Sequence, residues 1–324
     1  MRRPGGTSGR FDGAGRGQTP GRDGHAAGRD GHALGCQGDE RERQLSIFDE
    51  PKIDCHNHVF DPVRFEFSPK AYYFPTGAEL GTRSQLTAVF EAYGVQRALV
   101  VQPNSGYDDD NRCLIDVLSH GEGRFRGMAV IANDTSRREL ERLRALRING
   151  VTFNAAQLGV EYYAKTAGLL AELADLDMYV DLQVQADQLI EMLPLLEGTD
   201  ARIVVDHCGR PRPGAGLDQP GFAALLRLAA TGRVFVKISG YAKFSAQSYP
   251  YRDAWPYVQS LLQSFGPDSC VWGSDWPFLR APERIDYGPL LKLIEHFVPE
   301  PADRSKVLWH TPNRLFGFTD PPSG

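Results

Sequence analysis

The chain has 324 residues, and its 36 Lys and Arg against 41 Asp and Glu give a formal charge of −5. At 41% hydrophobic and 24% charged residues it has the make-up of a globular protein with length enough for a full core. The acidic balance argues against nucleic acid as a partner, and no apolar run reaches the roughly 18 residues that a membrane span needs.

Five scattered cysteines (Cys36, Cys55, Cys113, Cys208 and Cys270) lack the spacing of a disulfide framework or a zinc knuckle. The expectation is a cytoplasmic protein that acts on a small molecule, with no membrane partner and no signature that fixes an oligomeric state.

Residues 1–44 carry no apolar stretch of the secretory kind. They are rich in Gly and Arg and contain GRDGHA twice, at Gly21–Ala26 and Gly28–Ala33. Without hydrophobic periodicity they are expected to form a disordered tail.

From about Pro51 the pattern becomes strand then helix, repeated. Strands are predicted over Lys52–Phe60, Gln96–Gln102, Phe125–Ile131, Gly150–Asn154, Met178–Val184, Arg202–His207, Val234–Ser239 and Cys270–Asp275. Several are near-continuous apolar runs, as parallel strands buried on both faces require. The helices that follow them are predicted over Ser84–Tyr93, Asn111–Ser119, Arg137–Arg147, Tyr162–Ala174, Asp187–Glu197, Phe222–Ala230, Trp255–Phe265 and Arg284–Phe297. Eight such repeats specify an α/β fold, a (β/α)8 TIM barrel in a single domain over residues 50–318. A doubly wound sheet would want a glycine-rich turn after its first strand. That strand ends instead in Cys55-His56-Asn57-His58.

In such barrels the active site lies at the C-terminal ends of the strands. Strand 1 ends in His56 and His58, which alternation sends to one face, the interior, with Asn57 outward. Strand 6 ends in Asp206-His207-Cys208-Gly209-Arg210, and strand 8 in Ser274-Asp275-Trp276. His120, His296 and His310 fall on helices or loops and carry no such signal.

Two uses fit this H-x-H, H, D set. It can ligate a divalent ion, zinc first, through His56, His58 and Asp275. Alternatively it can work without a metal, a carboxylate taking a proton from water while imidazoles stabilise an oxyanion. Asn104, Asn154 and Gln183 are expected near the barrel mouth as substrate-orienting amides, and Lys237 as an inward cation that meets the substrate or as a packed stem. Cys208 points away from His207 and reads as a small buried hydrophobe. No nucleophile elbow, Walker loop or dinucleotide turn is present.

The segments Asp54–Phe60, Val205–Pro211 and Val271–Pro277, with Phe67–Tyr73 and Arg314–Phe318, resemble motifs of the amidohydrolase superfamily. The match is to its amidohydrolase-related branch, which includes the pyrone dicarboxylate, sulfomuconolactone and sugar lactonases. The resemblance implies a barrel that opens a lactone by hydrolysis. Asp275 would be the general base, His207, His56 and His58 would polarise the carbonyl, Arg210 would meet a substrate carboxylate or pair with a loop acid, and Tyr73 would act as a lid or stacking residue.

Metal-binding members of the superfamily usually add a histidine on strand 5, where this chain has Tyr179–Val184. The implied cofactor is therefore none or one divalent ion. Where the pyrone dicarboxylate lactonase has an arginine in a Gly-Ile-Arg-Phe-Asn strand, this chain has Thr152. A less charged lactone or ester is therefore expected. The alternatives are a metal-dependent decarboxylase or amide hydrolase of the superfamily, and a non-catalytic barrel that binds a small molecule.

Overall fold

The computed structural model describes residues 46–318. The sequence expectation for residues 1–44 lies outside them. Eight strands form one parallel sheet in chain order: β1 Lys52–Asn57, β2 Val95–Val101, β3 Phe125–Ala129, β4 Ile148–Asn154, β5 Tyr179–Gln183, β6 Arg202–Val205, β7 Val234–Ile238 and β8 Cys270–Trp272. The sheet closes on itself just past β8. There Asn57 bridges Trp276, the His58 amide donates to the Trp276 carbonyl at 2.8 Å, and the Asp275 amide donates to the His56 carbonyl at 2.7 Å.

A helix follows each strand: α1 Arg83–Tyr93, α2 Arg112–Ser119, α3 Arg137–Ala145, α4 Ala167–Asp175, α5 Gln188–Glu197, α6 Pro220–Leu228, α7 Trp255–Phe265 and α8 Tyr287–Phe297. The fold is the expected (β/α)8 barrel. The ends of α1 show why the chain stops where it does. Thr82 and Gln85 form a reciprocal capping box, and Gly94 closes the helix in the left-handed conformation.

The apolar side chains divide into two layers. Helix residues such as Leu86, Phe90, Leu140, Leu143, Leu170 and Leu261 pack on the outward side chains of the strands. Inside the barrel, Ile53, Leu99, Met128, Tyr179, Val204 and Phe235 form a second cluster with Leu315 and Phe316 of the C-terminal segment. That segment closes the N-terminal end of the barrel: Tyr179 Oη donates to the Leu315 carbonyl at 2.8 Å and Asn149 Nδ2 to the Phe316 carbonyl at 3.1 Å. With one end sealed by apolar packing, polar groups gather at the other.

Arg304 anchors the start of this closing segment. Its Nε donates to both carboxylate oxygens of Glu50, and its Nη1 donates to the carbonyls of Val298 and Pro299 at 3.0 Å each. Arg304→Met leaves those acceptors unpaired. It is expected to lower unfolding stability by about 2 kcal/mol, measured by urea denaturation.

Strand β1 does not alternate simply. Asp54 pairs with Ala98 and Asn57 with Val100, so three steps on β1 match two on β2. This is the signature of a β-bulge. Asp54 and Asn57 both face outward with Ala98 and Val100, while Cys55 and His56 both turn inward. Simple alternation from Ile53 and Cys55, which pack inside, would have placed His56 outside. The bulge shifts the phase and brings His56 and His58 to the interior.

Candidate active site

The C-terminal mouth holds a cavity of about 840 Å³. His58, His207 and Asp275 lie on its wall, and His56 lies buried beside them. Three imidazole nitrogens converge on one carboxylate oxygen: Nε2 of His56, His58 and His207 lie 3.7, 3.6 and 3.8 Å from Asp275 Oδ1.

Each ring is held from behind. His58 Nδ1 meets the Val101 carbonyl at 2.9 Å, His207 Nδ1 meets Ser239 Oγ at 3.0 Å, and His56 Nδ1 meets Lys237 Nζ at 3.1 Å. On the other oxygen of Asp275, Lys243 Nζ stands at 3.1 Å. Oδ1 is thus left facing the imidazoles.

The backbone here is unusual. Strands β6 and β8 end earlier than the sequence pattern suggests, and His207, Arg210 and Asp275 lie in the turns beyond them. His207, Cys208, Gly209 and Arg210 have φ of 50°, 56°, 71° and 43°, and Asp275 has 65°. These are left-handed conformations that side chains other than glycine's disfavour, and such strain gathers at functional sites. The turn after β6 folds His207 and Arg210 into the cavity while Cys208 turns away. Cys208 Sγ lies 3.8 Å from the Lys237 carbonyl oxygen, and burial pushes its thiol up to about 12.

Asp54 fixes the turn after β8 from the outside. Its Oδ1 accepts from the His56 and Ser274 amides at 3.1 and 3.0 Å, and its Oδ2 accepts from Tyr287 Oη at 2.9 Å. Glycine at 273 is required for this closeness, because a Cβ there would lie 2.6 Å from His56 Cβ and 2.7 Å from its backbone nitrogen.

Burial pushes the His56 pKa down to about 4 against the pull of Asp206, and burial also holds His207 well below the usual imidazole range. Both rings are neutral near pH 7. For Asp275, burial alone would raise the carboxyl. Lys243 and His207 override it and hold the group well below the ordinary carboxylate range. The base expected from the sequence is therefore fully ionised, and a weak base while Lys243 stays on it.

Of the expected substrate residues, Asn104, Asn154, Gln183 and Arg210 line the cavity. Two of them are tied down: Asn154 Nδ2 donates to Asn104 Oδ1 at 3.1 Å, and Gln183 Nε2 donates to Asp206 Oδ2 at 3.0 Å. Among the described residues no carboxylate forms an ion pair with Arg210. Its Nη2 reaches Gln183 Oε1 at 3.5 Å, and its buried Nε has no hydrogen-bond partner.

Two expectations are corrected. Tyr73 is not on the cavity wall: its hydroxyl bonds Glu79, and Arg280 covers its ring. The neighbouring Tyr72 lines the cavity instead. Lys237 does not reach a substrate either. It is fully buried beneath His56, in ion contact with Asp181 and Asp206.

Sequence reasoning missed Asp181, Lys243 and the position of Asp206. Asp181 was visible as an acid two residues before Gln183 on an otherwise apolar strand. Lys243 sits in the loop after β7 with no periodic signal.

The ligand atoms of His56, His58 and Asp275 lie within 4.8 Å of one another, close enough to hold an ion. The 3.6–3.8 Å from the imidazole nitrogens to Asp275 Oδ1 are near the ~3.4 Å edge of a tetrahedron with ~2.1 Å zinc–ligand bonds. The spacing fits a divalent ion. Among the described residues Cys55, Cys113, Cys208 and Cys270 are unpaired and buried, and no helix is long and apolar enough to cross a membrane.

A sealed parallel barrel with a histidine–aspartate centre at its open mouth defines the architectural class. The family model described as Amidohydrolase matches residues 53–318, and the chain belongs to that family. It is 32% identical over 294 residues to 4-sulfomuconolactone hydrolase of Rhizobium radiobacter, covering 87% of this chain and 96% of that protein. It is 30% identical over 277 residues to 2-pyrone-4,6-dicarboxylate hydrolase of Comamonas testosteroni, covering 82% and 89%. A solved structure of a probable 2-pyrone-4,6-dicarboxylic acid hydrolase from Acinetobacter baumannii, with citric acid bound, superposes with a TM-score of 0.75. It is 25% identical and matches 82% of this chain and 99% of that one.

Proposed function

We propose that this chain hydrolyses the ring ester of an anionic lactone. The observation that carries the proposal is the convergence of three imidazoles on Asp275 Oδ1 at the wall of a cavity sized for a small molecule. Relatives named for opening sulfomuconolactone and pyrone dicarboxylate support the reaction class.

In this reading a water beside Oδ1 gives its proton to Asp275 as its oxygen attacks the lactone carbonyl carbon. His207 and His56 stand where the oxyanion develops. Collapse breaks the ring C–O bond, and the proton on Asp275 passes to the leaving alkoxide, so lactone plus water yields a hydroxy acid. Lys243 supplies the timing: when its ammonium turns from Oδ2 to a substrate carboxylate, Asp275 regains the basicity that the ion pair suppresses.

The charge of the substrate follows from the wall. Arg210, Arg212, Lys243 and Arg280 line the cavity, with Asp275 the one carboxylate among its lining residues. This modifies the expectation drawn from Thr152. Thr152 does face the cavity, with a buried hydroxyl lacking a hydrogen-bond partner, so one clamp is missing while other cations remain. A carboxylated lactone that places no anion at Thr152 fits best. Were a divalent ion held by His56, His58 and Asp275, it would supply Lewis-acid polarisation of the same carbonyl.

Hydrolysis of a lactone panel, spanning neutral sugar lactones and anionic muconolactones, tests the reading with and without chelator. Turnover of anionic members that survives chelation is expected. Turnover confined to neutral members, or abolished by chelator, would overturn the substrate class or the metal-free mechanism respectively.

A further inference from the structure

Beneath His56, on the side away from the cavity, a buried ion cluster lies across the barrel. Lys237 Nζ is 2.6 Å from Asp181 Oδ1, 2.8 Å from Asp206 Oδ1 and 3.1 Å from His56 Nδ1, with all four side chains excluded from solvent. An ammonium has three protons to give and no lone pair to accept with. Its contact with a ring nitrogen therefore has one sense: Lys237 donates and His56 Nδ1 accepts. Asp206 Oδ1 also stands 3.2 Å from Nδ1 and competes with Lys237 for that atom.

A neutral imidazole that accepts at Nδ1 carries its proton on Nε2. His56 Nε2 is the atom that faces Asp275 Oδ1, at 3.7 Å, and it has no hydrogen-bond partner. His58 is arranged the opposite way. Its Nδ1 meets the Val101 carbonyl oxygen, which can only accept, so His58 carries a proton on Nδ1.

We propose that Lys237 is a positioning residue that fixes His56 as the Nε2–H tautomer, aiming its proton at Asp275 and withholding its Nε2 lone pair from a metal ion. The two histidines of the H-x-H pair are thus held from behind in opposite senses, His56 accepting and His58 donating at Nδ1. A zinc ion would need a bare nitrogen from each. Removing Lys237 leaves Asp206 Oδ1 as the neighbour of His56 Nδ1, a carboxylate–histidine pairing of the kind that supports metal ligands. The chain therefore carries a zinc site in its spacing, and the lysine keeps it shut.

The test reads protons and metal rather than turnover, so its outcome is separate from that of the lactone assay. In the full chain labelled with 15N-histidine, two-bond nitrogen–proton spectra should show His56 protonated at Nε2 and His58 at Nδ1. The His56 signals are identified by their loss in His56→Asn. Lys237→Met should move the His56 proton to Nδ1 and tighten zinc binding, measured by equilibrium dialysis, by about tenfold or more over the unsubstituted chain. A His56 proton on Nδ1 in the unsubstituted chain overturns the proposal, as does a folded Lys237→Met protein whose zinc affinity is unchanged. If Lys237→Met does not fold, the spectrum of the unsubstituted chain decides alone.

Discussion

Asp275→Asn is expected to lower kcat by about 10²–10⁴-fold with no loss of the folded state. The amide keeps the shape of the carboxylate and its place among the imidazoles, but it cannot take a proton from water. The barrel does not depend on the charge: the turn that holds residue 275 is pinned through backbone groups, by the His56 carbonyl and by Asp54 on the Ser274 amide. Lys243, the partner left behind, is about a quarter exposed and can turn to water. Steady-state kinetics on the best lactone of the panel, with a thermal melt as control, check the prediction. Turnover within a few-fold of the unsubstituted chain would move the base to another group, His58 first.

Gly273→Ala is expected to lower stability by about 2–3 kcal/mol and to reduce activity with it. The added methyl would meet the Cβ and backbone nitrogen of His56 at 2.6–2.7 Å, and backbone has little room to give. The contact lies on the closing edge of the barrel, where the ends of β1 and β8 hydrogen-bond through His56, His58 and residues 275–276. Parting those strands therefore displaces His56 and Asp275 together. Guanidinium denaturation measures the stability loss, and kcat measured well below the melting temperature separates the displacement of the centre from unfolding.

The barrel was legible because several of its strands are near-continuous apolar runs, its helices are amphipathic, and strand and helix alternate eight times. The centre was legible because His56, His58, His207 and Asp275 fall where barrel strands end. What escaped has physical reasons. Both histidines turn inward as alternation predicted, but the bulge at Cys55–His56 that puts them there is a feature of register between two strands that one strand's pattern does not contain. Predicted strands 6 and 8 ran on to His207 and Asp275, because those residues directly follow apolar runs in the sequence although their backbones have left the sheet. Tyr72 and Tyr73 are adjacent, and which one reaches the cavity depends on the path of a loop. Lys237 read as an inward cation, as it is, but its partner Asp181 lies on another strand, and only barrel closure brings the two to 2.6 Å.

The left-handed run at His207–Arg210 bears on how this protein would respond to selection. A left-handed backbone costs roughly 1–2 kcal/mol for each residue that is not glycine, and three of the four residues in this turn are of that kind. Glycine at 207, 208 or 210 would relieve strain, so a library screened for heat resistance alone would drift toward it there. At 207 and 210 the drift would erase an imidazole at the centre and a guanidinium on the cavity wall. Any effort to harden this barrel should hold that turn fixed and seek its gains in the helices and the sealed end.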